Sequence, residues 1–219
     1  MMPLGQQEIS GSQDGLFGSL ALLACAIFLS KLWLNDLRGN SSKAEGALPG
    51  ATPCSPATIR IAVLGALILL ALETAGEKVT GLDKAQSTIQ AHFLLAMIAA
   101  SFLEELVFRG YLCIQDRGQK MLVTSTVGFS IVFALAHPYL WTFQKVDTGS
   151  WLGGVALHLD SSKAWFTTIA LFLKSLWFYR VRFASWNPRH SLLPCMAAHL
   201  SINLGAFVIK AVQGHVTLS

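Results

Sequence analysis

Charge is scarce in this sequence: 13% of its 219 residues are Asp, Glu, Lys or Arg, against 53% in the hydrophobic set. So little charge excludes an ordinary soluble domain, which needs about a quarter of its residues charged. Cysteine is sparse as well. Cys25, Cys54, Cys113 and Cys195 are scattered without CxxC spacing, which excludes a zinc knuckle or a redox pair and leaves free thiols. There is no HExxH and no GxSxG, so neither a zincin nor a serine-hydrolase signature is present. Internal repeats, a second soluble domain and low-complexity tracts are also missing, and one membrane domain is the simplest account.

What the chain has instead is long apolar runs. Six are read: Leu16 to Leu34, Ile59 to Leu72, Ile89 to about Ile114, Met121 to Trp141, Trp165 to Val181, and Leu192 to Ala211. Crossing roughly 30 Å of hydrocarbon at about 1.5 Å per residue takes some 20 residues as a helix. The runs are continuous rather than alternating, which points to helices and away from a barrel. The expected fold is all-α, a polytopic transmembrane helical bundle of about six helices. Leu22, Leu23, Ala24 and Cys25 faintly resemble a lipoprotein cleavage site, but Glu8 and Asp14 precede them with no Lys or Arg, so a retained first helix is expected. The polar stretch Asn35 to Thr58, with Pro49, Pro53 and Pro56, reads as a surface loop and the longest candidate for disorder.

Basic residues orient the chain, because cytoplasmic loops carry the excess. One set of loops holds Lys31, Arg38, Lys43, Arg60, Arg117, Lys120, Arg180, Arg182 and Arg189; the other holds Lys78, Lys84, Lys145, Lys163 and Lys210. Nine against five favours both termini outside. The formal charge of +4 is thereby explained by topology, and with the basic residues split among loops no nucleic acid is expected as a partner. Trp33, Trp141, Trp151 and Trp165 fall near run ends, as an aromatic belt does. His92, His158, His190 and His215 lie near run ends or in loops and are given no role.

The chemistry sits in the third run, where Glu104, Glu105 and Arg109 lie at membrane depth. Each unpaired charge there costs about 2.5 to 3.5 kcal/mol on the insertion scale, so all three need partners. Glu105 and Arg109 are four apart with the acid first, the favoured order for an intrahelical ion pair. Glu104 points about 100° away and needs a partner on another helix. Candidates are His137 in the fourth run, and His199 with Asn203, which share a face at i and i+4. Glu104, His137, His199 and Asn203 are expected to meet near mid-membrane if the third helix continues past Arg109.

Three ordered motifs, Glu104-Glu105-x-x-x-Arg109, Phe133-x-x-x-His137 and His199-x-x-x-Asn203, resemble those of the CAAX protease and bacteriocin-processing family, which includes the Rce1-type prenyl proteases. The resemblance implies an Rce1-like catalytic core over 89–211, preceded by N-terminal helices and a cytoplasmic loop over 1–88. It implies an intramembrane endopeptidase acting on a membrane-associated or lipid-modified peptide. Glu104 and His137 would activate water, His199 and Asn203 would stabilise the oxyanion, and Glu105 and Arg109 would support them. Membrane lipid and a peptide or prenylated protein are the implied partners, and the cell (plasma) membrane the implied location.

No metal is expected at this site. Zinc is the alternative, since two histidines and a glutamate from three helices could hold it. Two other classes compete for the same residues. A non-catalytic binding or bacteriocin-immunity protein would use the polar cluster as a surface. A proton-coupled transporter would add repeats and interrupted helices, which are not seen. Six helices fall short of the larger eukaryotic prenyl proteases, and Lys174 with Trp177 stands in the fifth run where a small-residue helix is expected.

Overall fold

A computed structural model describes residues 13–39, 46–144 and 154–218. Of the polar stretch read as a loop, 35–38 belong to the first helix and 56–58 to the second, while Lys43, Lys145 and Trp151 lie outside the described residues. Among the described residues there are six α-helices: α1 (Gln13–Arg38), α2 (Pro56–Thr80), α3 (Phe93–Glu104), α4 (Gln119–Ala136), α5 (Ser162–Arg182) and α6 (Leu193–Val212). Four, α1, α2, α4 and α6, are long and apolar enough to cross a membrane. The chain is an integral membrane protein with an all-α fold. Its large apolar side chains point outward, as lipid requires and water does not: Phe17, Phe28, Leu64 and Leu72 are all exposed.

The chain divides into two compact units. The first comprises the described residues up to Cys113 together with those from Trp177 onward. In it α2 packs on α6, α1 on α3, and α3 on α6, around Trp33, Ala62, Leu106, Phe178, Cys195 and Ala198. Small residues allow the approach. Gly65 of α2 lies so close to Trp177 that a Cβ would stand 2.1 Å from the indole, whose Nε1 donates to the Ala62 carbonyl at 3.0 Å. The α2 start is capped by Ser55, which accepts from the Thr58 amide at 3.1 Å, with Pro56 in the first turn. At its end Gly81 takes φ 72°, a left-handed cap. A short parallel pair, β1 (Ile89–Gln90) with β4 (Val216–Thr217), joins the entrance of α3 to the exit of α6. Beside it Gln86 links the Glu77 carboxylate to Lys210, whose Nζ also donates to the Ser87 carbonyl at 2.7 Å.

The second unit, residues 114–176, contains α4, the antiparallel pair β2 (Trp141–Gln144) and β3 (Gly154–Leu157), and most of α5. Ser175 of α5 donates to Ser130 of α4 at 3.0 Å. The helix expected from Met121 to Trp141 is shorter than predicted. It stops at Ala136, and His137 takes φ −83°, ψ 123°. Pro138 follows, and the ring of a proline drives the preceding residue out of the helical region. Trp141 accordingly lies in β2. The third run also differs: its helix begins at Phe93, and Ile89 is in β1.

Candidate active site

After Glu104 the helix does not end; it widens into a π-helix over Glu105–Tyr111. Such segments leave carbonyls off the α ladder and recur at functional sites. Here α5 supplies the donors. The Tyr179 hydroxyl is shared between the carbonyls of Phe108 (2.7 Å) and Leu112 (2.8 Å), and Arg182 Nε donates to the Arg109 carbonyl at 3.2 Å. The two glutamates therefore stand at the junction between an α and a π winding.

Their surroundings differ. Glu105 is wholly buried and accepts from Arg109 Nη1 at 3.1 Å through Oε1, the i,i+4 pair expected from the sequence. The same oxygen meets His199 Nδ1 of α6 at 2.8 Å, a contact the sequence did not suggest. Arg109 is also fully buried, its guanidinium carbon about 5 Å from the Phe178 and Tyr179 rings and 5.7 Å from Phe108. Phe178 stacks on the other face of this assembly, its ring 5.0 Å from that of His199 and tilted by 22°. Arginine, glutamate and aromatic ring together fix the histidine.

Glu104 is the partly exposed member. Its Oε2 lies 3.9 Å from His199 Nε2, too far for a hydrogen bond, and that oxygen is buried with no hydrogen-bond partner among the described residues. The interhelical partner demanded by the sequence is thus His199, held at a distance. Because the Glu105 carboxylate takes the Nδ1 proton, Nε2 is the nitrogen presented to Glu104. Asn203, one turn further along α6, donates through Nδ2 to the Met97 carbonyl at 2.9 Å and to Ser101 Oγ at 3.1 Å. Ser101 itself donates to the Met97 carbonyl at 2.8 Å. Glu104, Glu105, Arg109, His199 and Asn203 are thereby gathered where α3 meets α6.

His137 belongs to the second unit, where it closes α4. Its Nδ1 donates to the Phe133 carbonyl at 2.8 Å and its ring lies 4.9 Å from that of Phe133. The Phe-x-x-x-His spacing thus has a local purpose: it returns the imidazole to the last turn and leaves Nε2 as the acceptor. Four residues of the site had not been singled out: Ser101, Phe178, Tyr179 and Arg182. Phe178 and Tyr179 lie just before the basic last turn of α5, with Arg180 and Arg182, and carry no motif of their own.

Catalytic zinc takes three protein ligands. Glu105 Oε1 and His199 Nδ1 are committed to each other, and Glu104 Oε2 and Glu105 Oε2 are buried carboxylate oxygens with no hydrogen-bond partner among the described residues. Among the described residues no three His, Cys, Asp or Glu side chains form a metal-ligating group.

No curated protein and no solved structure matches the chain. A family model described as type II CAAX prenyl endopeptidase Rce1-like matches residues 86–205. The match spans more than half of the sequence and takes in all three motifs, and the chain belongs to the Rce1-like family of type II CAAX prenyl endopeptidases.

Proposed function

We propose that this protein is an intramembrane endopeptidase of the cell membrane that hydrolyses a lipid-modified peptide, a prenylated C-terminal segment being the substrate class its family points to. The observation that carries the proposal is Glu104 Oε2, a buried carboxylate oxygen with no hydrogen-bond partner among the described residues, 3.9 Å from His199 Nε2. A spacing too wide for a direct bond leaves Glu104 Oε2 to a reactant bound beside the histidine.

Glu104 takes a proton from water as the oxygen attacks the scissile carbonyl carbon. The resulting negative oxygen is met by His199, whose ring is held in place at Nδ1 by Glu105. When the C–N bond breaks, the leaving amine recovers the proton held by Glu104. The motif order assigns His137 a share in activating the water, and an Nδ1 committed to Phe133 leaves Nε2 as the acceptor that role uses. Asn203 serves the oxyanion by exchanging its bond to Ser101 for one to the developing charge. We take the site to act without a metal, zinc being the alternative.

Cleavage of a quenched fluorescent prenylated peptide by purified protein tests this reading against its Glu104→Gln variant at equal folding. The variant should lose activity by about 10² to 10⁴, the usual worth of a positioned base. Equal activity would remove Glu104 from the reaction. Binding without turnover in both proteins would favour a binding or immunity role.

A further inference from the structure

Arg182 is a buried cation that the hydrolysis does not use. It is 4% exposed at the end of α5. Its Nε donates to the Arg109 carbonyl, and its guanidinium carbon stands 5.6 Å from the Phe183 ring. Among the described residues no carboxylate pairs with it, and Nη1 is buried with no hydrogen-bond partner. A guanidinium is never discharged in a protein, so a buried one without a counter-ion calls for an anion from elsewhere. In the loop beyond α5, burial and then the Arg182 charge hold the His190 imidazole below its ordinary pKa.

Its position relative to Glu104 and His199 suggests which anion. Arg182 follows Phe178, the ring stacked on His199, by four residues, about 6 Å along α5. The carbonyl it holds belongs to Arg109, one turn beyond Glu105. A peptide whose scissile carbonyl lies between Glu104 and His199, and which runs extended in this direction, advances about 3.3 Å per residue. Three residues carry it about 10 Å, which a guanidinium displaced by one helical turn can meet. Three is also the number of residues that follow the lipidated cysteine in a C-a-a-X terminus.

We infer that Arg182 receives the free C-terminal carboxylate of the substrate, fixing which peptide bond lies at Glu104 by measuring from the chain end. Planar, bidentate recognition of a carboxylate is the chemistry for which arginine is best suited. Arg182 is then a specificity residue, and the inference rests on the endopeptidase reading above.

The test uses two prenylated, quenched fluorescent peptides that differ only in ending as an acid or as an amide. The native protein should favour the acid by at least about tenfold in kcat/KM, chiefly through KM, as loss of a charge-assisted bond implies. In Arg182→Gln the ratio should collapse to within about twofold, and Arg182→Lys should restore part of it. Equal cleavage of acid and amide by the native protein would overturn the inference and leave the endopeptidase standing, whether or not the variants fold. An acid preference that survives in a folded Arg182→Gln would also overturn it. So would a defect in that variant confined to vesicles containing phosphatidylglycerol and blind to the peptide terminus, which would assign the cation to a lipid phosphate. Cleavage of neither peptide would remove both readings.

Discussion

Glu105 and Glu104 are neighbours in sequence with separate tasks, and substitution should separate them. Glu105→Gln keeps the shape of the side chain but removes the charge that Arg109 and His199 share. A group that orients another typically contributes 10- to 100-fold, so kcat should fall by about that factor with KM little changed. The loss should be smaller than that of Glu104→Gln. An assay of both variants with one prenylated peptide reads the difference. Arg109→Ala removes the cation and its packing against three rings, and breaking a buried pair from one side costs about 3 to 5 kcal/mol. That variant should show a clearly lower Tm in detergent before any question of activity arises.

At the scale of elements, the π segment depends on α5 for its hydrogen bonds. Tyr179→Phe deletes the hydroxyl shared by Phe108 and Leu112, and unsatisfied buried carbonyls cost about 1 to 3 kcal/mol. Thermal unfolding should register the loss, and activity should fall with it because Glu104 and Glu105 sit at the same junction. Helix contacts give a graded pair. Gly65→Ala drives a methyl into the Trp177 ring system, whereas Gly205→Ala meets the flexible methyl ends of Leu70 and, at ordinary contact distance, Leu67. The first should destabilise by about 1 to 3 kcal/mol and the second by distinctly less, as measured by Tm in the same detergent.

The elements also show what could be read in advance. The Glu105–Arg109 pair follows from spacing on one helix and was legible. Its bond to His199 joins residues 94 apart, and no local pattern announces such a contact. The π winding is equally silent, since it arises from what α5 offers rather than from the residues that adopt it. The stop at Ala136 is a different matter. Pro138 is a sequence signal, outweighed in the reading by the apolar residues that continue to Trp141. The α2 helix runs past Leu72 to Thr80 because Glu73, Glu77 and Lys78 continue it, although their charge ends the apolar run.

At the scale of the molecule, mean hydropathy of +0.53 and outward-facing apolar side chains make lipid the solvent. Alkaline carbonate extraction should leave the protein in the membrane pellet. If all six helices cross, the start of α1 and the end of α6 lie on one side, and the distribution of basic residues makes that side the outer one. Accessibility of single cysteines introduced at Gly15 and Gln213 to a membrane-impermeant thiol reagent, in a background lacking the four native thiols, should therefore agree between the two positions. Opposite accessibility would mean an odd number of crossings.

The contact between His199 and Glu105 also sets an order of events during biosynthesis. The helix bearing Glu104, Glu105 and Arg109 leaves the ribosome 94 residues ahead of its histidine, an interval of about 5 to 20 s at about 5–20 residues per second. Through that interval Glu105 is neutralised by Arg109 alone, a partner from its own helix, so the segment can enter the bilayer without waiting. Glu104 has no such provision. The nascent chain thus carries an ionisable acid into lipid before the helix that will face it exists, and the insertion machinery, or protonation of that acid, has to shelter it until α6 arrives.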